Sequence, residues 1–297
     1  MGRIGPRSSQ TLKKKVPMVE YEDIKHYIER IVNEAPVEIL TSQTLTELHT
    51  SSGTSGGQPM MMPVTAEDLE RKAFFSHFTR TMLKRSLDGF DKGKGMYLMF
   101  IRQEIVTPSG LVASPALTSY HKSRTFKRGS SGFTSPYETI MCLDTKQRMY
   151  CQLFCGLIQR DEVFRVGLFF ASGFLRAVKF LEDYWQELVS NIKTGNLSDW
   201  ITDTSCRNAV LSILGRPDSE LADLIEPIFK AKSWEGIVKK LWPRTTFVDA
   251  IVTGSMAQYI STLDFYSGGL PLVSRMYGSS ECYFGLEFIM ILLFLLE

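Results

Sequence analysis

The sequence predicts an α/β protein whose ligand sits where strands run into turns of small residues. Three observations predict it. Leu175, Val178, Leu181, Trp185, Leu188, Val189 and Ile192 form one apolar stripe at helical spacing, and Gly195 is a natural stop. Residues 246–253, with Phe247, Val248, Ile251 and Val252, read as a buried strand that ends in Gly254-Ser255. Residues 270–276 read as another, running straight into Tyr277-Gly278-Ser279-Ser280-Glu281. In open α/β sheets, ligands bind outside the C-terminal ends of the strands.

The other elements follow in order. Residues 1–18 carry Gly, Pro, Ser and Lys without periodicity and are expected to form a disordered tail. A helix is predicted over 19–33, where Ile24, Tyr27, Ile28 and Ile31 recur at three- and four-residue intervals. Residues 41–48 are polar and lead into His49-Thr50-Ser51-Ser52-Gly53-Thr54-Ser55-Gly56-Gly57-Gln58-Pro59, a run of hydroxyls and glycines. Pro63 stops any continuation. Thr65 ahead of Glu67 and Asp68 predicts an N-cap with acids in the first turn of a helix reaching Leu87. Turns follow at 88–89 and 91–95, then a strand at 96–101 and a turn at Pro108-Ser109-Gly110. Residues 114–128 read as a polar, aromatic-bearing loop and 140–143 as a short strand. Segments 150–158 and 163–172 are apolar enough to be buried, and their type stays open. Further helices are predicted at 205–214, 219–231 and 233–241, and no internal repeat is visible.

The bulk numbers bound the function. The chain has 297 residues, a net charge of +2 and 44% hydrophobic residues, which is ordinary globular material. Near-neutral charge gives no reason to propose nucleic acid or an anionic membrane as partner, and Lys13-Lys14-Lys15 reads as part of a solvated tail. Five cysteines (Cys142, Cys151, Cys155, Cys206, Cys282) lack disulfide-framework spacing, and none of the four histidines lies near them in sequence. Reduced cytoplasmic thiols are expected rather than a zinc site. The polar N-terminus has no apolar core of the kind a secretory signal requires. The apolar run 288–296 is too short for a bilayer, which needs about 20 residues. It reads as a buried strand, a membrane-surface tag or non-native sequence, and no stable membrane insertion is expected.

The run 49–59 admits two readings, a flexible Ser/Gly linker or a loop that wraps backbone N–H groups and hydroxyls around phosphate oxygens. It is no Walker A motif, because no lysine follows Gly56 or Gly57. Neither 277–281 nor Gly254-Ser255-Met256 is a nucleophile elbow, since each lacks the second glycine. A P-loop kinase and an α/β-hydrolase are both disfavoured.

Six separated stretches in order carry a resemblance instead. They are Ser51-Ser52-Gly53-Thr54-Ser55-Gly56-Gly57, Leu117-Thr118-Ser119-Tyr120, Phe169-Phe170-Ala171-Ser172-Gly173, Val252-Thr253-Gly254-Ser255-Met256-Ala257-Gln258-Tyr259, Tyr266-Ser267-Gly268-Gly269-Leu270-Pro271 and Met276-Tyr277-Gly278-Ser279-Ser280-Glu281-Cys282-Tyr283-Phe284-Gly285. Together they resemble the adenylate-forming enzymes, and within them the plant auxin-responsive acyl-acid amido synthetases of the Gretchen Hagen family, over residues 18–285.

That resemblance implies the large N-terminal domain of the firefly-luciferase-like fold, partial over 19–285, with 286–297 an atypical apolar tail. It implies an acid–amino acid ligase that activates a carboxylic acid hormone, indole-3-acetic acid by the look of the motifs, as an acyl-adenylate with Mg-ATP. Conjugation to an amino acid would serve auxin homeostasis. ATP and Mg²⁺ are the implied cofactors; the acid and the amino acid are the implied small-molecule partners. Ser52, Thr54 and Glu281 take the catalytic roles, with Glu281 the Mg²⁺ ligand. ATP is assigned to Ser51, Ser52, Gly53, Thr54, Ser55, Tyr277, Gly278, Ser279, Ser280, Glu281, Cys282 and Tyr283. The acid is assigned to Ala116, Leu117, Tyr120, Met276 and Tyr283. The residue types suit these tasks: hydroxyls donate to phosphate oxygens, glycine permits close approach, and Mg²⁺ takes one or two carboxylates plus phosphates.

Three departures from the family pattern stand out. Met60 occupies a position where members usually carry lysine. The Tyr-Arg-x-Gly-Asp motif and the small C-terminal domain are absent, and the sequence leaves the family pattern after Gly285. A truncated copy or incomplete gene model is therefore expected. The alternatives are an inactive paralogue that at most binds acyl acid or nucleotide, and a fragment that does not fold alone.

Overall fold

The computed structural model describes residues 17–34, 39–51, 59–87, 89–285 and 289–291. Within them the strands are β1 (Leu45–Thr50), β2 (Met61–Thr65), β3 (Lys94–Leu98), β4 (Ile105–Val106), β5 (Val112–Pro115) and β6 (Val163–Phe170). They continue with β7 (Phe247–Ile251), β8 (Leu272–Ser274), β9 (Tyr277–Gly278), β10 (Tyr283–Gly285) and β11 (Ile289–Ile291). The chain divides into two compact units, Met1–Leu69 with Glu104–Pro115, and Glu70–Gln103 with Ala116–Glu297.

In the first unit, a helix over Tyr21–Asn33 starts with Glu22 and Asp23 in its first turn, and the Asp23 carboxylate accepts the Glu20 N–H at 2.8 Å. Ile28 and Ile31, three residues apart, are its buried side chains. The sheet has the order β2-β1-β5-β4, with β1 antiparallel to β2 and parallel to β5. Ile31, Leu45, Leu48, Leu111 and Ala113 make its core. β2 is an edge strand, which is why Pro63 is tolerated inside it. Thr65 and Asp68 exchange side-chain-to-backbone bonds at 3.1 and 3.3 Å, so the predicted N-cap forms.

The second unit is built on a five-stranded sheet of order β11-β8-β7-β6-β3, parallel except for β11. Period-two alternation sorts its two faces. Met96, Leu98, Val166, Leu168, Val248, Ala250 and Leu272 enter the main core. That core is closed by helices Thr145–Ile158, Ala171–Thr194, Thr204–Leu214, Ser219–Phe229 and Ile237–Leu241. Each fully buried aliphatic side chain there contributes about 2 kcal/mol. Helix Ala171–Thr194 buries Phe174, Val178, Leu181, Leu188 and Ile192 and stops at Gly195, whose φ of 74° is left-handed. The opposite face carries Tyr97 and Met99, which pack with Phe126 and Ile140.

Several expectations are corrected. Residues 114–128 are no loop: Ala116–Lys122 and Arg124–Gly129 are helices, the second capped by the Ser123 hydroxyl, which accepts the Phe126 N–H at 3.2 Å. Their buried positions include Thr118 and His121, polar side chains that conceal the apolar period. The strand expected at 140–143 is the end of a helix, Tyr137–Met141, because four apolar residues do not distinguish the two. The polar lead at 41–48 contains most of β1. The helix expected over 233–241 starts only at Ile237, since Gly236 has φ 64°. Of the open segments, 150–158 is helix and 163–170 is β6. Ile289–Ile291 of the apolar run pairs with β8, and the tail 1–16 lies outside the described residues.

Candidate functional site

The motif after β8 folds into a hairpin. β9 and β10 pair antiparallel, Tyr283 opposite Gly278 and Gly285 opposite Tyr277. The Ser279 N–H donates to the Cys282 carbonyl at 2.9 Å. The Ser279 hydroxyl accepts the Glu281 and Cys282 N–H groups at 3.3 and 3.4 Å. A side chain at Gly278 would put its Cβ 3.1 Å from the Tyr283 ring and 3.3 Å from the Cys282 carbonyl, so glycine lets the ring lie against the facing strand. Ser280 is half-buried, and Glu281 and Cys282 are exposed at the tip. The Glu281 carboxylate has no ion pair among the described residues.

Behind the tip, the Tyr283 ring stacks on Phe75 at 4.9 Å with a 12° interplanar angle. Burial pushes the Tyr283 phenol up, with Tyr120 adding to it, so these two tyrosines feel each other. Tyr120 shares one helix face with Ala116 and Leu117 at i,i+4 and i,i+3 spacing, all three half-buried. Met276 is half-buried as well, whereas Tyr277 is exposed with its ring 5.0 Å from Phe284. Tyr120 and Tyr283 thus lie within electrostatic reach of each other in the second unit.

A charged cluster on the same sheet face was not foreseen. Asp249 of β7 is buried and accepts both the Tyr97 hydroxyl and Nε of Arg275, the latter at 2.5 Å. The Arg275 guanidinium lies 5.3 Å over the Tyr97 ring. Burial acts to lower Arg275, but Asp249 and then Tyr97 outweigh it, and the group stands above its ordinary value. Arg165 of β6 donates to the carbonyls of Phe90, Gly93 and Gly132, the last two at 3.1 and 3.2 Å. The signal was a carboxylate and a guanidinium inside otherwise apolar strands.

In the first unit, Ser51 and Met60 fasten the base of the hydroxyl run. The Ser51 N–H donates to the Met60 carbonyl and the Met60 N–H to the Ser51 hydroxyl, both at 2.9 Å. Ser52, Gly53, Thr54 and Ser55 lie outside the described residues. Among the described residues no group of three His, Cys, Asp or Glu side chains gathers around a cation position. Glu281 alone suits an ion that takes its other ligands from phosphates and water.

The sequence matches the GH3 family N-terminal domain over residues 3–272, a span that reaches from before β1 to the start of β8, and the chain belongs to this family. It is 57% identical over 285 residues to indole-3-acetic acid-amido synthetase GH3.17 of Arabidopsis thaliana, spanning 95% of this chain and 47% of that one. It is 54% identical over 281 residues to probable indole-3-acetic acid-amido synthetase GH3.13 of Oryza sativa subsp. japonica, spanning 93% and 60%. Among solved structures, GH3.15 acyl acid amido synthetase superposes with a TM-score of 0.88 at 49% identity, covering 94% of this chain and 50% of that one. Its complex with 2,4-DB gives 0.87 at 48% identity, covering 94% and 49%. The chain spans about half the length of most of these relatives.

Proposed function

We propose that this chain performs the adenylating step of an acid–amino acid ligase. A carboxylate oxygen of the acid, with indole-3-acetic acid the favoured case, forms a bond to the α-phosphorus of ATP, and the bond to pyrophosphate breaks. The amine of an amino acid then bonds to the activated carbonyl carbon, AMP leaves with the electron pair, and the nitrogen gives up a proton. Ser51, Ser52, Thr54 and Ser55 are assigned to the phosphates, and Ala116, Leu117, Tyr120, Met276 and Tyr283 to the acid. Glu281 would hold Mg²⁺, which when bound neutralises phosphate charge. Stabilising a crowded, charged phosphorus is chiefly positioning and electrostatics, so no side-chain nucleophile is needed.

One observation carries the reading: the hairpin presents an exposed Glu281 at its tip and stacks Tyr283 on Phe75 behind it, within electrostatic reach of Tyr120. All five cysteines carry free thiols. Among the described residues no helix is long and apolar enough to cross a membrane. Pyrophosphate exchange with indole-3-acetate and Mg-ATP tests the proposal. Acid-dependent exchange supports it; no exchange from folded protein rejects catalysis.

A second reading, a non-catalytic chain that binds acyl acid or nucleotide, rests on Met60, which offers no charge at a position where the family pattern usually has lysine. Calorimetric binding without exchange selects it.

A further inference from the structure

We propose that Arg275 is an oxyanion-binding residue of this site, receiving a carboxylate or a phosphate on its terminal amino groups. The inference rests on the proposed function and adds a residue to it. Arg275 follows β8 directly and precedes Met276, so it sits at the root of the hairpin. Its side chain is 35% exposed, whereas that of its partner Asp249 is 6% exposed. Only Nε is taken by Asp249; among the described residues neither terminal amino group meets an acceptor. A guanidinium offers five N–H donors in a planar fork, and the outer pair matches the two oxygens of a carboxylate or phosphate.

The charge balance points the same way. Arg165 lies within electrostatic reach of Arg80 and Arg275 as like charges, and of Asp249 as the opposing one. Within this interacting group three cations stand against one carboxylate. Arg165 is committed to three backbone carbonyls, so it is Arg275 that retains donors for a ligand. Asp249 fixes Nε, and the guanidinium stands over the Tyr97 ring, which pre-orients it before any ligand arrives. Arg275 also lies within electrostatic reach of Tyr120, one of the residues assigned to the acid, and is followed directly by Met276, another.

Calorimetry on the full chain tests this with three probes: indole-3-acetate, its neutral methyl ester, and ATP. For a carboxylate site, Arg275→Met weakens indole-3-acetate by about tenfold or more, leaves the ester and ATP within twofold, and Arg275→Lys recovers part of the loss. For a phosphate site, ATP weakens instead and the acid does not. Because Arg275→Met leaves Asp249 unpaired, the ¹⁵Nε resonance of Arg275 in the unaltered chain gives a second readout, expected to shift on titration with the bound probe. Unaltered affinities in a folded Arg275→Met variant, or an unmoved resonance, overturn the assignment while the proposed function stands. An unaltered chain that binds neither acid nor ATP overturns both.

Discussion

The phenol of Tyr97 on β3 donates to the Asp249 carboxylate on β7, across a strand that separates them in the sheet. The reach exists because β6 carries Gly167 at the crossing. A Cβ there would lie 2.6 Å from the Asp249 carbonyl, 2.8 Å from the Tyr97 ring and 3.0 Å from the Asp249 Cβ.

Gly167→Ala is therefore expected to destabilise the chain by about 1–3 kcal/mol, the usual cost of overpacking a closed interior. Urea denaturation reads it. An unchanged midpoint would mean that the ring and strand yield freely.

The Phe75–Tyr283 stack sets where the Tyr283 ring can stand. Phe75→Ala removes a ring pair worth about 0.5–1.5 kcal/mol, so indole-3-acetate is expected to bind about two- to tenfold more weakly. Equal affinity for both proteins would detach Phe75 from the proposed acid site.

His121 supplies a pH dependence. It is buried and its Nδ1 has no hydrogen-bond partner among the described residues. Burial, and then Arg148, push it down from 6.5 to about 4. The unfolded chain binds the proton near 6.5 while the fold resists it until about 4, so stability is full above that window and declines as pH falls through it. The loss amounts to about 3 kcal/mol. Denaturation midpoints at pH 7 and pH 4.5 measure it, and His121→Gln should flatten the difference. A variant with the same slope as the unaltered chain would assign the effect elsewhere.

Met60→Lys restores a cation beside the hydroxyl run. ATP affinity is expected to rise about three- to tenfold at low salt, with the gain shrinking as ionic strength increases. No gain in calorimetry at low salt would place residue 60 away from the phosphates.

Much of this fold could be read from the chain alone, and the reason is periodicity. Leu175 to Ile192 announced a helix, and the apolar runs around Val248 and Leu272 announced neighbouring strands. Where side chains were short or polar the signal vanished: Thr118 and His121 are buried helix positions that look like loop residues. The site divided in the same way. Glu281 and Tyr283 could be proposed from the chain because their segment is contiguous. The Tyr97–Asp249–Arg275 cluster was not, since residues 152 positions apart meet only through strand order and register. Phe75 escaped notice for the same reason, as nothing local marks it as the partner of Tyr283.

The paired bonds between Ser51 and Met60 tie both margins of the stretch they bracket to one sheet. These bonds continue the ladder one step beyond the Thr50–Met61 pair. Whatever work the intervening residues perform is therefore delivered from two fixed posts on adjacent strands of the first unit.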